Sequence, residues 1–143
     1  MELVADANVL FSLLIATKQS KTADLFFSDE LTLYAPELIV KECIEHRSEI
    51  CEKSGLDAKD VDILLTLFSA KINILSFYEF DNYIPMAKNI CPDPDDVEYF
   101  AVALKMKCPL WSNDKRLKLQ DKIKVLSTFE LISLFDFGSG RSS

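Results

Sequence analysis

Short apolar runs alternate along the chain with longer segments whose apolar residues recur every three or four positions. Leu3-Val4-Ala5 is a continuous apolar run, as expected of a strand buried on both faces. The other runs that predict strands are residues 31–35, 72–76, 110–112 and 123–126. Segments that predict helices are residues 7–16, 22–27, 36–54, 57–70, 78–89, 97–106 and 128–135. This alternation predicts an α/β protein, a three-layer α/β/α sandwich around a central parallel sheet of about five strands.

Composition bounds the domain count and the cellular setting. A chain of 143 residues with 49% hydrophobic content suits one domain, which we place at residues 1–136, and residues 137–143 form a glycine- and serine-rich tail that we expect to be flexible. No apolar run reaches transmembrane length, and the first residues do not resemble a signal peptide, so we expect a cytoplasmic protein without membrane contact. Four cysteines without CxxC spacing are expected to be reduced thiols.

The net charge of −7 limits the kind of nucleic-acid partner. Binding along the phosphate backbone normally leaves a basic footprint, so this balance argues against a passive nucleic-acid coat. It leaves open an enzyme whose acidic groups are neutralised by metal ions.

Four acidic residues from separate segments adjoin apolar runs. Asp6 and Asp114 follow the first and fourth predicted strands, where ligands bind in open parallel sheets. Glu42 lies about two turns into the helix after the second strand, and Asp96 lies at the start of the helix that leads to the fourth. Such carboxylates are costly unless paired or bound to a cation, and hard cations prefer oxygen ligands. The pattern therefore indicates a divalent-metal site, for which Mg²⁺ and Mn²⁺ are the candidates.

Four motifs in order carry a family resemblance. A strand followed by Asp-x-Asn-hydrophobic is matched by residues 4–10, a helical glutamate by Glu42, Asp-x-x-x-x-Ala-x-Ala by residues 96–103, and Ser-x-Asp by residues 112–114. In these motifs the chain resembles the PIN-domain ribonuclease family over roughly residues 1–136.

The resemblance implies an activity and a set of partners. It implies a metal-dependent endoribonuclease in which Asp6, Glu42, Asp96 and Asp114 hold Mg²⁺ or Mn²⁺ and a metal-activated water hydrolyses RNA. It also implies frequent homodimers and, in many prokaryotic members, a toxin paired with an antitoxin that inhibits it.

Two further polar residues and a basic segment are candidates to assist. Asn8 and Ser112 are candidates to support the carboxylates from behind, although Asn8 is equally suited to capping the first helix. The densest basic segment comprises Lys115, Arg116, Lys118, Lys122 and Lys124. The first three follow Asp114 directly and are predicted to contact substrate phosphates, although an ordinary solvated surface explains them as well.

Each acid also has a structural interpretation. Asp6 and Asp114 are suited to capping the helix or turn that follows them. Glu42 shares its helix with a rival ligand, Glu45, and His46 is interpreted as a boundary residue. The aromatic residues Tyr78, Phe80 and Tyr83 suit base stacking, but a place in the core explains them better.

Two adjacent acids, Asp95 and Asp96, need to be told apart. Prolines keep the preceding segment extended, which favours Asp95 as the helix N-cap with Glu98 completing a capping box. Asp96 is then the metal ligand, and Asp93 is a weaker rival in the loop.

Other function classes lack a residue that they need. A phosphoacceptor receiver domain requires an aspartate after the third strand, where this chain has Ser76. A haloacid-type phosphatase requires Asp-x-Asp, where this chain has Asp6-Ala7-Asn8. A non-catalytic interaction module with the same fold is a third alternative, which the presence of all four acids weakens.

Overall fold

A five-stranded parallel sheet organises the protein, with strand order β3-β2-β1-β4-β5. The computed structural model describes residues 1–16 and 21–135, so the predicted end of the domain at residue 136 and the tail at 137–143 lie outside the described residues. The strands are β1 (Glu2–Ala5), β2 (Thr32–Pro36), β3 (Ile72–Leu75), β4 (Leu110–Trp111) and β5 (Val125–Leu126). The predicted parallel sheet of about five strands is confirmed.

Helices flank the sheet, so the predicted α/β/α class is confirmed. The α-helices are α1 (Ala7–Ile15), α2 (Lys21–Phe26), α3 (Leu38–Glu45), α4 (Arg47–Ser54), α5 (Ala58–Lys71), α6 (Phe77–Phe80), α7 (Ile84–Ile90), α8 (Val97–Met106) and α9 (Thr128–Phe135). Short 3₁₀ turns cover Asp81–Tyr83, Pro94–Asp96 and Lys115–Leu119.

The central strand β1 explains where the core lies. Its residues Leu3, Val4 and Ala5 are fully buried, because β1 pairs with β2 on one side and β4 on the other while helices cover its faces. Helix α8 packs against β1, β2 and β4. It leads through a short loop into the start of β4, which is parallel to β1, so the start of α8 lies at the carboxyl ends of these strands.

The helix predicted between residues 36 and 54 is two helices, α3 and α4. They meet at His46, whose φ of −96° and ψ of 7° leave the helical region. The break lets α4 pack on α1 and α5 and bury Ile50, which a straight continuation of α3 does not explain. The predicted stop is confirmed, since Gly55 ends α4 with a φ of 77°, a value that favours glycine.

The helix predicted at residues 78–89 is also divided. It consists of α6, a 3₁₀ turn and α7, and Pro85 lies in the first turn of α7, where its missing N–H costs no hydrogen bond. Helix α9 has the predicted bounds. Ser127 caps it, because its Oγ accepts from the N–H of Glu130 at 3.1 Å while Glu130 Oε1 accepts from the N–H of Ser127 at 3.0 Å.

Candidate active site

Asp6 is a buried carboxylate at the carboxyl end of the central strand, only 4% exposed. One oxygen, Oδ2, accepts from Ser112 Oγ at 2.7 Å, and the other, Oδ1, accepts from the main-chain N–H of Asn8 at 3.2 Å. Burial raises the pKa of Asp6 above its usual range, the bond from Ser112 opposes this, and the charge of Asp114 adds to it. Asp6 therefore caps α1 and also presents its carboxylate at the sheet edge, so its two interpretations are compatible.

Ser112 connects two of the acidic segments. Its hydroxyl, which is almost fully buried, donates to Asp6 and accepts from the main-chain N–H of Asp114 at 3.1 Å. Ser112 therefore lies where the predicted supporting role requires it, and that role stays a prediction. Asn8 contributes its main-chain N–H alone, because its exposed side chain makes no hydrogen bond within the described part of the chain.

Glu42 is held by a residue that the sequence analysis missed. The buried Tyr99 on α8 donates its hydroxyl to Glu42 Oε1 at 2.5 Å. Burial raises the pKa of Glu42, the bond from Tyr99 lowers it, and the charge of Asp6 raises it. The rival Glu45 is exposed and pairs with Lys41 at 3.9 Å, which favours Glu42 as the acid that faces the site.

Asp96 lies at the N-cap position of α8, but its carboxylate caps nothing. It makes no hydrogen bond or ion pair with any residue that the structure describes. Its pKa is raised to about 7, first by burial and then by the charges of Asp6, Asp93, Asp114 and Glu42. All four predicted site acids therefore share one electrostatic environment.

The predicted capping role of Asp95 is wrong. Asp93 is the cap, because its Oδ1 accepts from the main-chain N–H of Asp95 at 3.0 Å and closes the 3₁₀ turn Pro94–Asp96. Proline at the first position of this turn starts the helical conformation earlier than expected. Asp95 then lies inside the turn, and the capping box predicted with Glu98 does not form.

Arg116 lies across the acidic cluster and pairs with Asp114. Its Nε and Nη2 donate to the two oxygens of Asp114 at 3.1 and 2.8 Å, and Nη2 also lies 3.4 Å from Asp93 Oδ2. Hydrogen bonds from Arg116 hold the pKa of Asp114 below its usual value. Asp114 also caps the 3₁₀ turn Lys115–Leu119, as its structural interpretation predicted.

The donor set has the chemistry that a hard divalent cation requires. Carboxylate oxygens dominate it, the carboxylate of Asp96 makes no hydrogen bond with a described residue, and burial together with mutual repulsion raises the pKa of that group. Tyr99 and Arg116 occupy oxygens of Glu42 and Asp114, and across residues 1–16 and 21–135 no three His, Cys, Asp or Glu side chains are grouped closely enough to hold an ion. The residue types therefore fit a metal site, but in the described residues the carboxylates are not close enough together to coordinate an ion.

Comparison with known proteins identifies the family. A family model described as "PIN domain" matches residues 4–128. The chain belongs to the PIN domain family. Membership confirms the resemblance in the four motifs and decides against the receiver and phosphatase alternatives. PIN domains are generally nucleases, and such nucleases generally use divalent metals.

The fold of this PIN domain is similar to that of a solved structure. A chain of VapBC2 from Rickettsia felis, in a crystal structure with a DNA fragment from their promoter, superposes with a TM-score of 0.64 at 12% sequence identity. The match covers 89% of this chain and 98% of that chain, so at this identity it supports the fold. No curated protein matches the sequence. Within the described residues, no helix combines the length and apolar character needed to cross a membrane.

The basic segment of the PIN domain forms two groups. Arg116 faces the acids, Lys118 pairs with Glu130, and Lys115 makes no ion pair within the described chain. Lys122 and Lys124 lie before β5 and line a cavity at the opposite edge of the sheet from the acids, where strands β4 and β5 begin. The five cations predicted as one segment are therefore separated in space.

The remaining candidates lie outside the acidic cluster. Phe80 is fully buried, as the core interpretation predicted, whereas Tyr78 is 87% exposed. The ring of His46 packs at a tilt on Phe11, with centroids 5.0 Å apart, and its Nδ1 lies 3.4 Å from Glu49 Oε2. Its side chain makes no hydrogen bond to the four acids among the described residues.

The cap assignment gives a stability prediction. Replacing Asp93 with alanine should lower the free energy of unfolding by about 1 kcal/mol, because a side-chain cap is lost. Replacing Asp95 with alanine should change it little, because that side chain makes no hydrogen bond with described residues. Urea denaturation of both variants measures the difference, and equal losses would contradict the assignment of Asp93 as the cap.

Proposed function

We propose that this PIN domain is a divalent-metal-dependent endoribonuclease. The observation that carries the proposal is Asp96, a partly buried carboxylate that makes no hydrogen bond with a described residue. Its pKa is raised to about 7, first by burial and then by the charges of nearby acids that include Asp6, Asp114 and Glu42. Burial and repulsion of ionised carboxylates cost stability, and a bound cation would offset that cost. Family membership supports nuclease chemistry, and the carboxylate donors support Mg²⁺ or Mn²⁺.

The four acids are the proposed ligands and the catalytic groups. When bound, the divalent cation supplies activation of the attacking water and neutralisation of charge at the phosphodiester. Ser112 fixes Asp6 relative to the segment of Asp114, and Tyr99 orients Glu42. These contacts limit the freedom of the carboxylates, so less order has to be gained when the substrate binds.

The RNA backbone is proposed to approach along Lys115, Arg116 and Lys118. Arg116 is suited to this role because its planar guanidinium, now paired with Asp114, matches a phosphate equally well. If Arg116 left Asp114 and paired with a phosphate of the RNA, the Asp114 oxygens would become free to bind the cation. Arg116 would then couple the arrival of substrate to completion of the site.

We also propose a setting and partners. Cys43, Cys51, Cys91 and Cys108 are free thiols, which supports the reducing cytoplasm. The homodimer rests on the family resemblance alone, whereas the likeness in fold to a chain of VapBC2 also supports an antitoxin-type protein inhibitor. Size-exclusion chromatography with light scattering tests the homodimer.

A nuclease assay with a matched variant tests the activity. Wild-type protein should cleave single-stranded RNA in Mg²⁺ or Mn²⁺ and stop when EDTA is added, and Asp6→Asn purified in parallel should be inactive. The parallel purification excludes a contaminating nuclease. Cleavage that persists in EDTA, or equal cleavage by Asp6→Asn, would overturn the proposal.

The RNA path gives a second prediction. The double variant Arg116→Gln/Lys118→Gln should bind RNA more weakly whatever its sequence, and its salt dependence should flatten by roughly one counterion per lost phosphate contact. Lys122→Gln/Lys124→Gln is the matched control, since it removes the same charge from the opposite edge of the sheet. Fluorescence anisotropy over a series of salt concentrations measures both slopes. An unchanged slope in the first variant would move the RNA path elsewhere.

A further inference from the structure

A cavity of about 690 Å³ opens beside Asp96. Its wall includes Val97, the next residue after Asp96, and Leu38, which lies one helical turn before Glu42. The cavity therefore borders the acidic cluster along two of the elements that carry it. Its volume lies within the range of about 300–1,000 Å³ that is usual for small-ligand sites.

An aromatic ring forms one wall of this cavity. Phe77 is 41% exposed, and its ring packs edge-to-face on the buried Phe80 at 5.5 Å. Its main-chain N–H donates to Glu37 Oε1 at 3.2 Å, which fixes the start of α6 against α3. An aromatic face held in this way is available for stacking at little cost in conformational entropy.

Three charged side chains line the wall, Lys88, Asp95 and Glu98, and the structure shows no hydrogen bond or ion pair from any of them to a described residue. Glu98 is partly buried. A carboxylate in this position gains from N–H donors supplied by a ligand, and an unpaired lysine gains from an anionic oxygen.

We propose that this cavity binds one nucleobase of the RNA strand next to the cleaved phosphodiester. The base stacks on Phe77, its Watson–Crick edge donates to Glu98, and Lys88 contacts a neighbouring phosphate. This inference rests on the proposed ribonuclease function and adds a base specificity to it.

The chemistry of Glu98 selects the base. Guanine offers two adjacent donors, N1–H and the N2 amino group, which one carboxylate accepts together. The other three bases offer one donor group at that edge. The cavity is therefore expected to prefer guanine.

A base fits the wall better than an apolar peptide side chain does. An apolar occupant would remove water from Glu98 and Lys88 without replacing its hydrogen bonds. A nucleotide satisfies both groups and also places its phosphate near the acids.

Binding and cleavage are measured separately to test the site. Binding of a short fluorescent uridine-rich RNA with one internal guanosine, or with adenosine at the same place, is measured by anisotropy in the Asp96→Asn background. Phe77→Ala should weaken binding of the guanosine RNA by roughly tenfold. Phe77→Leu, which keeps an apolar side chain against Phe80, should weaken it as well, so a folding defect does not explain the loss. Glu98→Gln should reduce the preference for guanosine over adenosine.

The neighbouring aromatic residue supplies the matched control. Tyr78 is more exposed than Phe77 but does not line the cavity, so Tyr78→Ala should leave binding unchanged. The base site is overturned if three variants, Phe77→Ala, Phe77→Leu and Glu98→Gln, bind both RNAs as tightly as Tyr78→Ala does. The cavity would then be a candidate site for a protein segment. If these variants bind RNA normally and the wild-type protein still cleaves RNA, the ribonuclease proposal stands without the base site. An absence of cleavage with the guanosine preference intact would instead overturn the ribonuclease function and leave the base site.

Discussion

Replacing Asp96 with asparagine should remove metal-dependent RNA cleavage and leave the fold intact. The Asp96 carboxylate makes no hydrogen bond with described residues, so the amide breaks no contact, and the loss of one negative charge relieves the repulsion from Asp6, Glu42 and Asp114. The amide lacks the charge that would hold a cation. Mutation of a residue that merely supports a metal ligand typically lowers metal affinity or activity by about 10- to 100-fold. For a ligand itself we expect the cleavage rate to fall by at least about 100-fold.

The neighbouring Asp95 is the control for this prediction. Asp95→Asn changes the same functional group one residue away, on a side chain that is exposed and makes no hydrogen bond with described residues. Asp95 also lines the cavity proposed for the nucleobase, where the loss of a negative charge should not weaken RNA binding, so this variant should retain most of its cleavage. Cleavage rates under single-turnover conditions, together with melting temperatures, compare the two variants. An active Asp96→Asn beside an inactive Asp95→Asn would show that the ligand assignment is displaced by one residue.

Much of the site could be predicted because parallel sheets impose a common geometry. The carboxyl ends of parallel strands meet at one edge, so the apolar runs before Asp6 and Asp114 were enough to bring these two acids together. The bounds of α8 followed from its apolar spacing and from the prolines before it, and they placed Asp96 beside that edge. These inferences needed no knowledge of side-chain contacts.

The partners of the acids could not be predicted, because they depend on tertiary contacts. Tyr99 reaches Glu42 across the packing of α8 on the segment after β2, a separation of 57 residues along the chain. Arg116 turns back onto Asp114 because a 3₁₀ turn follows β4. A tyrosine three residues after Asp96 is a weak signal on its own, since a place in the core explains it equally well.

Local turn chemistry caused the other differences. The division of the basic segment follows from Gln120, whose Nε2 donates to the main-chain carbonyls of Leu117 and Ile123 at 2.9 and 2.8 Å and closes a turn. This turn sends Lys122 and Lys124 to the opposite sheet edge. Side chains that bond to the main chain in this way compete with regular patterns, and sequence periodicity does not detect them.

Without added metal, the protein should lose stability as the pH rises from about 5 to 8. The pKa of Asp96 is about 7 in the folded protein and near 3.8 for an unperturbed aspartate, and those of Asp6 and Glu42 are also raised. Between these values the folded state binds more protons than the unfolded state, so the free energy of unfolding falls with pH. The acids whose pKa values are lowered, such as Asp114 and Glu130, affect stability at lower pH, outside this range.

Mg²⁺ or Mn²⁺ should reverse this loss, and more strongly at pH 8 than at pH 5. Cation binding requires ionised carboxylates, and a ligand that binds the folded state alone stabilises it by mass action. The measurement is the melting temperature against pH, with EDTA and with each metal. Asp96→Asn should flatten the pH dependence and reduce the shift caused by metal, whereas Asp60→Asn, an exposed aspartate on α5, should behave as wild type. A wild-type melting temperature that does not change between pH 5 and 8 in EDTA would show that burial and mutual repulsion do not raise the pKa values of these carboxylates in solution. Metal shifts of equal size in wild type and Asp96→Asn would remove Asp96 from the site.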